Sequence, residues 1–295
     1  MNLNEANTKR LESLMLEHHL THAASYLLQN TRQTISCTKG VVEDYNTPCV
    51  SRIGGDPDLP HQIEWPLTAD GVPMTFVTQL NLKECSRHEE SALLPAEGML
   101  YFFVGLDEPA YNIEHRVLFV REDQLAGVER RVSPETTVLE EEFKGYQLEI
   151  KASLEAPNYA YVDSDKIENE AVGYEEYEEF SYELSDRQSS EVARMFGYPI
   201  GQHDDAEYEA ALMLLTNKNY NYSKEKALAQ ITKHLGGDEV AAIQEIEDTL
   251  MLLEIESDND VGFCWWDAGL LHFFIRKEDL LAGNFNRTYC SLYSS

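Results

Sequence analysis

The sequence is short of positive charge and lacks the common catalytic signatures. Its 53 Asp and Glu face only 23 Lys and Arg, a formal net charge of −30. A field of that sign repels phosphate backbones and anionic membrane surfaces, so neither nucleic acid nor membrane is expected as a partner, whereas a protein with a basic surface is. The five cysteines, Cys37, Cys49, Cys85, Cys264 and Cys290, are odd in number and widely spaced, with no C-x-x-C. Neither a disulfide framework nor a zinc knuckle is implied, and reduced thiols in a cytoplasmic setting are expected. No apolar run approaches the roughly 18 residues that cross a bilayer. The opening residues MNLNEANTKRLESL carry no apolar core or cleavage site of a secretory signal. G-x-S-x-G, the P-loop, G-x-G-x-x-G after a strand and H-E-x-x-H are all missing, so no catalytic residue, metal or cofactor is assigned.

Two similar apolar stretches are present instead. Residues 98–104 read GMLYFFV and residues 269–275 read GLLHFFI. Gly, Leu, Phe and Phe coincide, Met stands for Leu, Val for Ile, and Tyr101 for His272. Apolar residues at both odd and even positions predict strands buried on both faces. Each copy is preceded by Gly/Pro-rich punctuation, then a strand with a polar residue near its end (QLNL at 79–82, EIES at 254–257), then a tight turn. This order predicts an internal duplication around one shared core.

The remaining elements follow from periodicity. Leu11, Leu14, Met15 and His18 make residues 5–19 an amphipathic helix, and Thr21 is a candidate cap for a second through Leu28. Residues 33–38 alternate and predict a short edge strand. Residues 51–66 hold too much Gly, Pro and Asp for regular structure. In residues 74–82, Phe76, Thr78, Leu80 and Leu82 are expected on one face of a strand, with Val77, Gln79 and Asn81 on the other. A loop over residues 106–114 and a strand over 115–120 follow. Residues 133–191 are acidic and rich in tyrosine, with strands around Leu148–Ile150 and 159–162 and a short helix after EEYEEF. Asp204 or Asp205, Ser223 and Asp238 are candidate caps for three helices. A strand over 250–257 precedes the second apolar stretch. The expected architecture is α+β, with antiparallel sheets, an internal duplication of two related halves, and helices at the N-terminus and in the second half. As boundaries, residues 1–295 form one domain, with a first half at 45–130, an acidic connector at 131–193 and a second half at 194–284.

Several motifs have plain structural explanations. Gly54-Gly55 beside Pro57 predicts a turn that needs positive φ. His18 and His22 lie at metal-sharing spacing, but His18 falls on the apolar face. Glu256, Asp258, Asp260 and Asp267 resemble a calcium loop, with Val261 where its glycine belongs. Trp65, Trp265 and Trp266 sit beside Gly/Pro turns, as plugs for sheet ends do. Arg52, Gln79, Trp266, Asp267 and Arg276 come from corresponding places in the two halves. They are the candidate binding residues of an inter-repeat cleft, or else simply pairs that tie the halves together.

The segments IGGDPDLP (53–60), EWP (64–66), FVTQLNL (76–82), LLPAEGMLYFF (93–103), FGYP (196–199) and WWDAGLLHFFIRKEDL (265–280) together resemble the bacterial YwqG-like family. The resemblance implies an α+β fold with antiparallel sheets and an internal repeat, and no catalytic residue. The acidic region before FGYP is richer in carboxylates than that resemblance leads one to expect. The leading functional expectation is a non-catalytic protein-binding module, for instance a toxin-neutralising immunity protein, acting through the acidic surface at Glu175, Glu176, Glu178 and Glu179. The alternative is a small-molecule binder or hydrolase using a cleft between the halves. A filled seam between the halves would favour the first, and an open cleft with carboxylates the second.

Overall fold

A computed structural model describes residues 3–88, 93–105, 112–134, 138–139, 142–170, 172–201 and 203–294. Most of the loop expected over 106–114 therefore lies outside the described residues. In chain order the elements are α1 (Glu5–Glu17), α2 (Ala24–Asn30), β1 (Arg32–Val42), β2 (Arg52–Ile53), β3 (Asp58–Leu59), β4 (Thr75–Asn81), α3 (Leu82–Cys85), β5 (Met99–Val104), β6 (His115–Val120), β7 (Glu129–Arg130) and β8 (Tyr146–Glu155). There follow α4 (Ser164–Ile167), α5 (Tyr174–Ser185), β9 (Glu191–Met195), α6 (Ala206–Thr216), α7 (Lys224–His234), α8 (Glu239–Glu247), β10 (Thr249–Glu256), β11 (Leu270–Arg276), α9 (Lys277–Leu281) and β12 (Thr288–Tyr293).

Ten strands form one antiparallel sheet in the order β12-β11-β10-β9-β1-β8-β2-β4-β5-β6. The sheet curls until its edges meet: the Ile113 N–H donates to the Cys290 carbonyl (2.9 Å), and His115 Nε2 lies 2.9 Å from Thr288 Oγ1. The sheet has two arms, β8-β2-β4-β5-β6 and β1-β9-β10-β11-β12. The concave side is filled by the main core, where Phe102 and Phe273 from opposite arms meet edge to face at 5.1 Å. Three smaller clusters cover the convex side. The β3–β7 ribbon and Trp65 lie over Phe76, Tyr101 and Phe103; α1, α2 and α5 lie over Leu154; and α6 lies over Met251, Phe274 and Tyr289.

The two apolar stretches become β5 and β11, and their hairpins match in register. In β4–β5, Gln79 faces Tyr101 and Thr78 faces Phe102, then the register slips between Phe76 and Thr78. In β10–β11, Glu254 faces His272 and Leu253 faces Phe273, then the register slips between Met251 and Leu253. The bulge corrects the expected faces of β4. One inserted residue reverses the alternation, so Val77 enters the main core while Phe76 joins the convex cluster.

Other expectations change for physical reasons. Residues 33–38 belong to an 11-residue central strand between β8 and β9, not an edge. Its Thr34 and Ser36 bond the buried Arg194 and Glu191. EEYEEF lies inside α5, because Tyr177, Phe180 and Leu184 make a helical stripe. Residues 159–162 form a turn rather than a strand, Thr21 opens a 3-10 turn without capping, and the first helix stops at Glu17. Asp205, Ser223 and Asp238 do stand at the starts of α6, α7 and α8.

Phe102 and Phe273 are fully buried on opposite arms. Phe102→Ala or Phe273→Ala should each cost about 3–5 kcal/mol, a large part of the ~5–15 kcal/mol of a typical domain. Urea melts should show this as a lowered midpoint with little change in slope.

Candidate functional site

The expected site residues fall in three separate places. Arg52 and Gln79 face each other across β2–β4 and are completely buried. Arg52 Nε donates to Glu43 Oε2 (2.9 Å), Arg52 Nη2 to Asp58 Oδ2 (3.1 Å), and Gln79 Nε2 to the same Asp58 oxygen (2.8 Å). Arg276, at the far end of β11, is held by Glu245, Glu278 and Asp279. Trp266 and Asp267 are exposed on the β10–β11 turn. The two arginines thus tie separate parts of the fold together, and the seam between the arms is filled by core residues.

Trp266 instead edges a cleft of about 420 Å³ on the convex face of β11–β12, beside the start of α6. Its lining includes Asp205, Glu209, Tyr220, Tyr222, Trp266 and His272. His272 lines the cleft and pairs across the strands: His272 Nε2 lies 2.9 Å from Glu254 Oε2, which also accepts the Ile200 N–H at 3.0 Å. Burial works to raise the Glu254 carboxyl, but His272 and the Ile200 amide outweigh it and hold it below its ordinary range. Glu209, on the wall, accepts from the Tyr289 hydroxyl at 2.5 Å. Burial raises its pKa; the Tyr289 bond pulls back, and the charge of Asp205 adds to the rise. Asp205 in turn bonds the Tyr220 hydroxyl. Two aromatic residues at the cleft, Tyr222 and Trp266, are largely exposed (71% and 66%) and sit at φ 55° and 58°, a region that β-carbon sterics disfavour.

The matching place on the other arm is roofed over. There Gln79 and Tyr101 occupy the positions of Glu254 and His272. Trp65 bonds the Met74 carbonyl (2.8 Å) and packs edge to face on Phe103, and β3 crosses above. The cleft was missed in the sequence although one of its lining residues was legible. His272, at the register position of Tyr101, lies opposite Glu254, at that of Gln79: an ionisable pair inside an otherwise apolar strand pattern.

The remaining motifs have structural roles. Glu175, Glu176, Glu178 and Glu179 all point outward from the first turns of α5, with Glu176 also accepting the Gly173 N–H at 2.8 Å. Asp258 and Asp260 both bind Lys39 Nζ (2.7 Å each), so the calcium-like loop closes on an ammonium of the protein itself. His18 pairs with Glu183 and His22 with the Ile167 carbonyl. Gly54 and Gly55 both have φ of 66°, and a β-carbon on either would meet atoms of Lys144 or Gly145 just before β8, of Tyr45 or of Val261. Among the described residues, no group of three or more His, Cys, Asp or Glu is placed to hold a metal ion, and no helix is long and apolar enough to cross a membrane.

Fold and site together define an α+β protein with one strongly curved antiparallel sheet and a ligand-sized cleft on its convex face. The chain belongs to the family described as "Domain of unknown function (DUF1963)", whose model matches residues 51–293. No curated protein matches the chain.

A carboxyl whose pKa is raised by folding costs stability once the pH passes its unfolded value. Glu209→Gln should therefore melt at or above the wild-type temperature near pH 7. The advantage should fade as the pH falls below the ordinary glutamate range of about 4.3. Thermal melts of both proteins across that range check the sign.

Proposed function

We propose that the protein binds a small ligand, and that the cleft over β11–β12 is the binding site. The observation that carries this reading is the buried His272–Glu254 pair beneath an opening edged by exposed aromatic rings. A polar pair under an open roof is what a binding site needs, whereas a purely structural position has the closed roof of the other arm. The lining also holds Ser291, which faces His272 across β11–β12, and Ser294; the reading is of ligand binding.

We also infer that the two arms arose by duplication, in line with the YwqG-like resemblance. From the centre outward the strands run β8-β2-β4-β5-β6 and β1-β9-β10-β11-β12. RIGGDPD (52–58) and RMFGYPI (194–200) leave equivalent strands. Arg52 faces Gln79 as Arg194 faces Glu254, and Gly54 and Phe196 share a left-handed φ of 66° and 62°. The Asp58 N–H donates to Gln79 as the Ile200 N–H donates to Glu254. In this reading one arm kept a closed face and the other opened it.

The test uses the protein's own fluorescence. Of its three tryptophans, Trp265 is buried, Trp65 is half-buried and Trp266 is exposed at the cleft. A fragment library screened by tryptophan emission should yield ligands whose signal disappears in Trp266→Phe. A library whose hits all map elsewhere would count against the cleft.

A second reading, a protein partner with a basic surface such as a toxin, is favoured by the outward face of α5, where Glu175, Glu176, Glu178, Glu179 and Glu183 are exposed beside Tyr182. The five free cysteines support a reducing, cytoplasmic setting for either reading. If α5 docks such a partner, replacing Glu175, Glu176, Glu178 and Glu179 with Gln should slow association and flatten its salt dependence. Surface plasmon resonance against a partner captured from the native cytosol measures both.

A further inference from the structure

We propose that the ligand is a small organic cation bound through a primary ammonium group, with His272 Nδ1 as its hydrogen-bond acceptor and Asp205 and Glu209 as its counter-charge. This rests on reading the cleft as a ligand site, and it adds the chemical class.

The lining holds two carboxylates and no Lys or Arg. Burial and Asp205 raise the Glu209 carboxyl while Tyr289 and His272 lower it, and among the described residues no Lys or Arg acts on it. This contrasts with the treatment of carboxylates elsewhere in the same fold. Asp58 and Glu43 are matched by Arg52, Glu191 by Arg194, Asp258 and Asp260 by Lys39, and Glu245 by Arg276. A buried or half-buried charge pair without its counter-charge is costly, and a bound cation would remove that cost.

His272 adds direction. It is 3% exposed, lines the cleft, and spends Nε2 on Glu254; no bond to its Nδ1 is found among the described residues. In the neutral ring with Nε2 protonated, Nδ1 presents a lone pair, which can accept an N–H but cannot donate to an anion. Rings supply the rest of the enclosure: Tyr220 and Tyr222 lie 6.0 Å apart at 58°, and Trp266 stands exposed at the cleft. Aromatic faces attract cations and tolerate the alkyl chain that follows them. A quaternary ammonium would also suit the rings, but it has no N–H for His272. A divalent metal would want a tighter ligand group than the cleft has.

The experiment is a nitrogen–proton correlation NMR titration of the full chain at about pH 8, above the ordinary imidazole range. The probes are n-butylammonium, n-butyltrimethylammonium, n-butanol and butyrate. The expected result is a saturable shift of the Trp266 indole and of amides around the cleft with n-butylammonium. Binding of the quaternary probe should be at least tenfold weaker, with no cleft response to butanol or butyrate. Glu209→Gln and Asp205→Asn should each weaken n-butylammonium binding tenfold or more, and two variants guard against one that fails to fold. Equal binding of the quaternary probe would overturn the primary-ammonium assignment. A cleft that responds to butanol or butyrate but not to n-butylammonium would overturn the cation while keeping the ligand site. Silence of the cleft toward all four probes and toward the fragment library would overturn both.

Discussion

The pairing of β1 with β8 is the interaction on which the rest of the structure depends. These are the two longest strands, antiparallel from Arg32–Glu155 to Val42–Tyr146. In sequence β1 precedes β2–β6 and β8 precedes β9–β12, yet β1 hydrogen-bonds onward to β9 and β8 to β2. The sheet is therefore continuous through its middle, and the concave side becomes a single core rather than two. Once that core is shared, only the convex faces are free to differ. One is closed by Trp65 and β3, the other by α6 and the open cleft.

The charge distribution follows the same logic. Arginines at the centre of each arm, Arg52 and Arg194, are buried with carboxylates on neighbouring residues and strands. Such pairs contribute little net energy relative to apolar packing, but losing one partner leaves an uncompensated charge. They consequently act as register pins: a strand that slipped by one residue would turn Arg52 into the apolar core and strand Glu43 and Asp58. The large excess of carboxylates is spread over the solvated outer surface, most visibly on α5, where Tyr177, Phe180 and Leu184 anchor the helix and the glutamates face water.

Where the sequence pattern and the packing agreed, the fold was legible. The β5 and β11 stretches read as doubly buried strands and are, because nothing polar interrupts them except Tyr101 and His272. The caps at Ser223 and Asp238 read correctly because capping is a local hydrogen bond. Readings failed where a long-range partner changed the meaning of a residue. Thr34 and Ser36 made β1 look like an edge, since their partners Arg194 and Glu191 lie more than 150 positions away. Arg276 looked like a site residue because Glu245, which it bonds through two nitrogens, lies 31 positions away in sequence. The cleft escaped notice for a similar reason: Glu254 and His272 are adjacent only across strands, and Asp205 and Glu209 arrive with α6 and Tyr220 with the loop after it, whose docking no local pattern specifies.

The central position of β1 and β8 also bears on how the chain is made. During synthesis β2 and β4 emerge long before the strand that must cover β2, and β1 waits longer still for β9. The ribosome therefore presents two unpaired sheet edges over much of the chain's length, and such edges readily join foreign strands. Neither arm can complete its sheet alone, so stable tertiary structure arrives late and almost at once, with the sequence-distant contacts that make folding slow. A chain severed between β7 and β8 would yield two pieces that each lack a central strand, and each would hold the strand the other needs.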